Sequence, residues 1–255
     1  MGRPREELLR AWRQKIESGQ PILGTGIVGV AADFCVVTNS LRFRPDAPGS
    51  LLGMMPFGDA NAIVLDLAKE ALGQSRRVPL IAGLCGTDPM RLMDKFLPEV
   101  AEAGFAGVQN FPTLGLIDGV FRASLEETQL GYGREVEMVR RARGIDLVTL
   151  PLVFTAEDAA AMAAAGADAV VVHLGLATSG PAGNRARRTP AEAAVEVDRI
   201  GAVARAVGRE VLVLAHGGPI LGVKEAAGVA SGSRLLDGFL LATDPGPYAG
   251  IALRR

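Results

Sequence analysis

GADAVVVHLGLATSG, residues 166–180, decides how the rest of the chain is read. Its mostly apolar run, Ala167 to Val172, is bounded by Gly166 on one side and by His173, Gly175 and a Thr/Ser/Gly turn on the other. Such a run reads as a strand buried on both faces, the usual state of a strand in a parallel sheet. Its polar residues gather where the strand ends. In α/β proteins the loops leaving that edge converge on one crevice or barrel mouth, so His173 is the first candidate for chemistry.

The same pattern recurs in both directions. Downstream, Val211–Ala215 ends in His216-Gly217-Gly218-Pro219, and Gly238–Thr243 is a last strand. Upstream lie Ile22–Gly26, then Phe34–Thr38 ending in Asn39 and Ser40, and Val78–Leu84 ending in Cys85-Gly86-Thr87-Asp88-Pro89. Gly107–Gln109 delivers Asn110, and Asp146–Val153 is a fifth strand. Helical stretches lie between them, with start signals at Asp59, at Asp88 with Pro89 in the first helical position, at Ser124 with Glu127, at Thr155, and at Thr189 with Glu192. Eight strands alternating with helices over 255 residues is the count of an α/β protein of the (β/α)8, or TIM barrel, class, with a doubly wound open sheet as the alternative. One domain, residues 1–255, accounts for the length.

Two places depart from a full barrel. Only seven residues, Ile27–Asp33, separate the first two strands, and twelve follow the eighth, so the helices after strands 1 and 8 are shortened. An extra N-terminal helix within residues 1–20, with Leu8, Leu9, Trp12 and Ile16 at helical spacing, is expected to cover the apolar strand surface there together with a second subunit. Residues 41–61 lack periodicity but carry Leu, Met and Phe, which fits a lid-like loop.

The net charge of −1, with interspersed signs, gives no field for nucleic acid or anionic membrane. No apolar run approaches the ~20 residues of a membrane-spanning helix, and the charged N-terminus lacks the apolar core of a signal peptide. The expectation is a cytoplasmic protein whose partners are small molecules and further copies of itself, a homo-oligomer. Cys35 and Cys85 lie in strand-like runs and read as reduced core thiols.

The barrel reading puts Asn39, Ser40, Asp88, Asn110, His173 and His216 at one mouth. The two histidines of the chain end adjacent strands and could act on one ligand; histidine titrates near neutral pH, which suits proton transfer. The alternative is a ring that only braces the rim. Asp88 could act as base, orient a histidine or hold a cation, or be a helix cap. Asn39, Ser40 and Asn110 could donate to a carboxylate or enolate, or serve turns. Arg42 and Arg44 could clamp an anion, or face solvent. Gly217 and Gly218 permit close backbone approach and offer amides. Arg185, Arg187 and Arg188 lie in the loop after the sixth strand, within reach of a substrate phosphate or of water only.

NSLRFRPDAPGSLLGMMPFGDAN, AGLCGTDP, GFAGVQNFPTLGLIDGVFRASLEET, AGADAVVVHLGL and VLAHGGPI, in that order between about Ile22 and Ile220, resemble the phosphoenolpyruvate hydrolase-like family of TIM-barrel proteins. The resemblance implies a barrel of the phosphoenolpyruvate/pyruvate superfamily type and a hydrolase or lyase acting on a small anionic oxo-acid, phosphoenolpyruvate- or phosphonopyruvate-like, through an enolate-like state. Enzymes of that superfamily commonly hold Mg²⁺ with carboxylates; Asp88 is the one carboxylate well placed, so Mg²⁺ stays an open alternative and no metal ligands are assigned. The chain departs from the family pattern after the first strand, at Thr38, Phe57, Cys85 and Leu152, and after the eighth strand. The rival to an enzyme is a metabolite-sensing or partner-binding barrel.

Overall fold

The computed structural model describes residues 5–42, 49–74, 78–175 and 188–254. Strands β1 (Ile22–Thr25), β2 (Phe34–Val37), β3 (Leu80–Leu84), β4 (Gly107–Asn110), β5 (Val148–Thr149), β6 (Leu152–Val153), β7 (Ala169–His173), β8 (Leu212–His216) and β9 (Gly238–Leu241) form one parallel sheet. Their order is β5-β4-β3-β2-β1-β9-β8-β7-β6. Only Leu150 and Pro151 separate β5 from β6, so the sheet curls until its two outer strands are consecutive in the chain.

That break corrects the expectation of one strand over Asp146–Val153. Pro151 has no N–H to donate, and a proline cannot sit inside a central ladder. That missing N–H lies on the β7 side; toward β4 the Leu150 N–H still donates to the Val108 carbonyl at 3.0 Å. Beyond it side chains of β4 continue the pairing: Gln109 Nε2 donates to the Leu150 carbonyl at 3.0 Å, and the Leu152 N–H donates to Asn110 Oδ1 at 2.6 Å. On the other side the Val171 N–H reaches the Pro151 carbonyl at 2.8 Å.

Helix α1 (Arg5–Glu17) buries Leu8, Leu9, Trp12 and Ile16, and the Trp12 ring lies 5.3 Å from that of Phe34. Arg5 fastens it: Nε lies 3.0 Å from each oxygen of Asp168, a buried carboxylate that also accepts the Thr149 N–H at 3.0 Å. No α-helix separates β1 from β2, and after β9 the described chain has only a 3-10 turn, Gly246–Tyr248. Every residue of β1, β2 and β9 is nonetheless buried within the single chain. The C-terminal segment helps by burying Tyr248, Ile251 and Leu253, and the Leu253 N–H donates to the Gly19 carbonyl at 3.0 Å.

The remaining helices are α2 (Gly49–Gly53), α3 (Ala60–Gln74), α4 (Met93–Glu102), α5 (Gly119–Glu127), α6 (Gly133–Gly144), α7 (Ala156–Ala164), α8 (Pro190–Val207) and α9 (Val223–Gly232). The span 41–61 thus contains α2 and the start of α3, with residues 43–48 outside the described set. Thr155 and Thr189 each form a full capping box, with Asp158 and Glu192 respectively. Two start signals misplace their helices. Ser124 lies inside α5, where its hydroxyl donates back to the Val120 carbonyl at 2.9 Å. Asp88 and Pro89 belong to a turn, and α4 begins only at Met93.

Candidate functional site

His173 and His216 occupy the last positions of β7 and β8 and are partners in register. Parallel neighbours in register place side chains side by side, and the two ring centroids lie 5.3 Å apart at an interplanar angle of 66°. His173 is buried, with the Phe154 ring 5.0 Å away on another side, while His216 is partly exposed. Burial, reinforced by the neighbouring His216, pushes the His173 imidazole down to about 3; burial also lowers His216. Both rings are neutral at physiological pH.

Their Nδ1 atoms are held in opposite senses. The Gly175 N–H donates to His173 Nδ1 at 3.2 Å, which makes that nitrogen an acceptor and leaves the proton on Nε2. His216 Nδ1 lies 2.8 Å from the Leu240 carbonyl oxygen, which can only accept, so here Nδ1 carries the proton and Nε2 the lone pair.

The glycines after His216 serve this packing. Gly217 and Gly218 have φ of +73° and +58°, and a Cβ on Gly217 would come 2.3 Å from the Gly175 carbonyl oxygen. The Gly218 amide is taken by that same carbonyl at 2.8 Å. Arg188 reaches the same strand end, donating from Nη1 to the Leu174 carbonyl at 3.1 Å, with Glu196 3.8 Å from its Nη2. Arg185 and Arg187 lie outside the described residues.

On the β2 side, Asn39 is buried and donates from Nδ2 to the Gly53 carbonyl of α2 at 2.9 Å, while its Oδ1 has no hydrogen-bond partner. Ser40 shares a 2.6 Å hydrogen bond with Thr38. Arg42 is directed at Glu70 of α3, 3.8 Å away, and Arg44 lies outside the described residues.

Asp88 is committed to its neighbours. Its Oδ2 accepts from Asn61 Nδ2 at 2.8 Å and from Arg91 Nη1 at 2.7 Å, and its Oδ1 accepts the Met90 N–H at 2.7 Å. Arg91 also grips Asp59 at the start of α3, at 2.7 and 2.9 Å. The histidines take their Nδ1 partners from backbone instead. Asp88, the one carboxylate placed for Mg²⁺ by the sequence reading, is thus already paired with a guanidinium, and among the described residues no group of three or more His, Cys, Asp or Glu could hold a metal ion.

Asn110 sits in a wholly buried polar cluster that the sequence reading passed over. Glu135, on α6, accepts from Asn110 Nδ2 at 2.5 Å, from the Thr113 hydroxyl at 2.7 Å and from the Leu114 N–H at 2.7 Å. Burial pushes its carboxyl up to about 7. Tyr132 adds a 2.7 Å hydrogen bond from its hydroxyl to the Leu152 carbonyl. A signal was there: Glu135 stands at i to Met138, Val139 and Ala142 at i+3, i+4 and i+7, a carboxylate on the apolar stripe of its helix. Cys85 hydrogen-bonds Thr87 over 3.5 Å, and burial raises its thiol, so it is no poised nucleophile.

Residues 7–244 match the sequence profile of the phosphoenolpyruvate hydrolase-like family. The chain belongs to that family. The chain is similar to two proteins of Solanum lycopersicum, the ToMV susceptible protein tm-1(GCR26) and the ToMV resistance protein Tm-1(GCR237). They are 44% identical over 241 and 244 residues, covering 91% and 92% of this chain. The chain spans 32% of the length of each. Among solved structures, FabK from Thermotoga maritima aligns over 95% of this chain and 62% of its own, at 16% identity and a TM-score of 0.51. That likeness shows the fold alone. No described helix is long and apolar enough to cross a membrane.

Proposed function

We propose that this phosphoenolpyruvate hydrolase-like chain is a hydrolase or lyase acting on a small anionic oxo-acid through an enolate-like state. In this reading β5 and β6 are one stave of a (β/α)8 barrel interrupted at Pro151, and the substrate sits over the strand ends. The observation that carries it is the neutral pair His173 and His216, in register at adjacent strand ends. Arg188, tethered to the carbonyl of the residue after His173, is the cation this reading assigns to a substrate carboxylate; Arg42 faces α3 instead. Asn39 commits Nδ2 to the Gly53 carbonyl and leaves only a buried acceptor oxygen unpartnered, which is not a donor to a carboxylate or enolate oxygen.

A second reading, a metabolite-sensing or partner-binding barrel, is favoured by the full commitment of Asp88 and Asn110 to structural hydrogen bonds. The virus-resistance name of one tomato relative points the same way. Helix α5 offers a contact for a homo-oligomer, since it buries none of its residues and leaves Val120 and Phe121 exposed.

A thermal-shift screen against 2-oxo acids and their phosphorylated or phosphono forms, followed by product analysis of each hit, separates the two. A ligand at 100 times its Kd stabilises the fold by ~2.7 kcal/mol. Binding with turnover supports the enzyme. Saturable binding without chemical change supports the sensor, and a screen with no hit overturns the oxo-acid assignment.

A further inference from the structure

The hydrogen bonds at the two Nδ1 atoms make the histidines chemically unlike, and this bears on which oxo-acid the mouth takes. We infer that His216 is the base that removes a proton from carbon, that His173 is the fixed donor to the adjacent carbonyl oxygen, and that the substrate is therefore a 2-oxo acid with hydrogen on C3. This rests on the reading of the mouth as an oxo-acid site.

The argument runs from partners to protons. A backbone N–H at 3.2 Å can only donate, so His173 Nδ1 accepts and Nε2 keeps its hydrogen. A backbone carbonyl at 2.8 Å can only accept, so His216 Nδ1 donates and Nε2 has its lone pair free. Both anchors belong to strand ends, β8 to β9 for one ring and the turn directly after β7 for the other, so neither ring can exchange its role by a flip without losing its anchor. The exposures agree with the division. His173, enclosed between Phe154 and His216, is suited to remain uncharged throughout, and His216 is the ring that keeps more exposed surface.

The step balances with no further reactant. His216 Nε2 takes the C3 proton and becomes imidazolium, the C–H electron pair enters the C2–C3 bond, and the carbonyl π pair moves onto oxygen, which His173 Nε2–H hydrogen-bonds. Return of a solvent-derived hydron from His216 regenerates the acid with isotope incorporated. A ligand whose carbonyl oxygen is already phosphorylated and whose C3 is already unsaturated supplies neither the acceptor nor the proton this pair is set up for.

Two measurements test this. Long-range ¹H–¹⁵N correlation spectra of the ¹⁵N-histidine-labelled full chain should show His173 as the Nε2–H tautomer and His216 as the Nδ1–H tautomer; the reverse pair overturns the division of roles. Hydrogen exchange at C3 of pyruvate and 2-oxobutyrate in D₂O should be catalysed by the wild type. It should fall about 100-fold or more in His216→Asn, which keeps a donor near Leu240 but removes the base. Oxalate, an enolate-like probe without C–H, should bind His216→Asn within about threefold of wild type but lose about tenfold or more in His173→Asn, with His173→Gln, which restores a donor near Nε2, recovering most of it. Exchange undiminished in His216→Asn, or wild-type binding of these acids without exchange, overturns the inference. Failure of every oxo-acid to bind the wild type overturns the proposed function and the substrate assignment together, while the tautomers still decide the division of roles.

Discussion

Asn110 serves Leu152 as a strand neighbour would: Oδ1 accepts its N–H at 2.6 Å, and Nδ2 lies 3.3 Å from its carbonyl. β4 and β6 share no backbone ladder at this seam, and the Asn110 side chain supplies the pair to Leu152. Asn110→Ala leaves both backbone groups of Leu152 with fewer partners and removes a donor from Glu135. We expect a loss of ~2–4 kcal/mol in denaturant unfolding. A loss under ~0.5 kcal/mol would show that the seam holds without it.

Glu135 gives the fold a measurable pH dependence. Its carboxyl is raised to about 7 in the fold by burial, against an ordinary value of 4.5, so its stabilising contribution is complete below pH 4.5 and is lost as pH rises through 7. His173 acts oppositely. Lowered to about 3, its contribution is complete above pH 6.5 and is lost as pH falls toward 3. Between pH 4.5 and 6.5 the two slopes oppose each other in the wild type. Glu135→Gln puts an amide where Asn110 needs an acceptor, so the variant is less stable, and its deficit should shrink by ~3 kcal/mol between pH 4.5 and 7.5. A deficit constant across that range would contradict the buried-carboxyl assignment.

Two arginines of α1 should differ sharply. Arg5 pairs with the buried Asp168, whereas Arg13 meets the exposed Glu210 at 2.8 Å. Arg5→Ala leaves the buried Asp168 with only the more distant Arg143, 3.8 Å away, as cation and should cost ~2–4 kcal/mol, while Arg13→Ala should cost under ~1 kcal/mol. Equal costs in parallel denaturation curves would mean that Asp168 is relieved by another group.

Gly217→Ala should harm both fold and site. The positive φ disfavours any side chain, and the new Cβ would press on the Gly175 carbonyl at 2.3 Å. We expect a fall of ~2 kcal/mol or more, accompanied by a shifted His173 ¹⁵N resonance because Gly175 supplies its Nδ1 partner. Unchanged stability and an unchanged resonance would disprove the tight approach.

Much of the scaffold was legible because strands buried on both faces leave uninterrupted apolar runs, and because polar residues mark where each run ends. His173 and His216 could be paired from sequence for that reason. The break at Pro151 was readable as a proline but was masked by the Leu and Val residues around it. Asp88 was misplaced because a Pro in the next position suits a turn as well as a first helical residue, and only tertiary structure brings Arg91 and Asn61 to it. Glu135 showed its anomaly as a charge on an apolar stripe, yet its three donors come from β4 and the loop after it. Hydrogen-bond polarity at the histidines lay beyond any sequence pattern, since Leu240 and Gly175 contribute only backbone.

The most direct measurement compares product formation from an oxo-acid identified by thermal shift, using wild type and the double variant His173→Asn/His216→Asn at equal ligand occupancy. The expected result is a loss of turnover of about 10³-fold or more, with the ligand still bound. Turnover retained at the wild-type rate would contradict the assignment of proton chemistry to this pair.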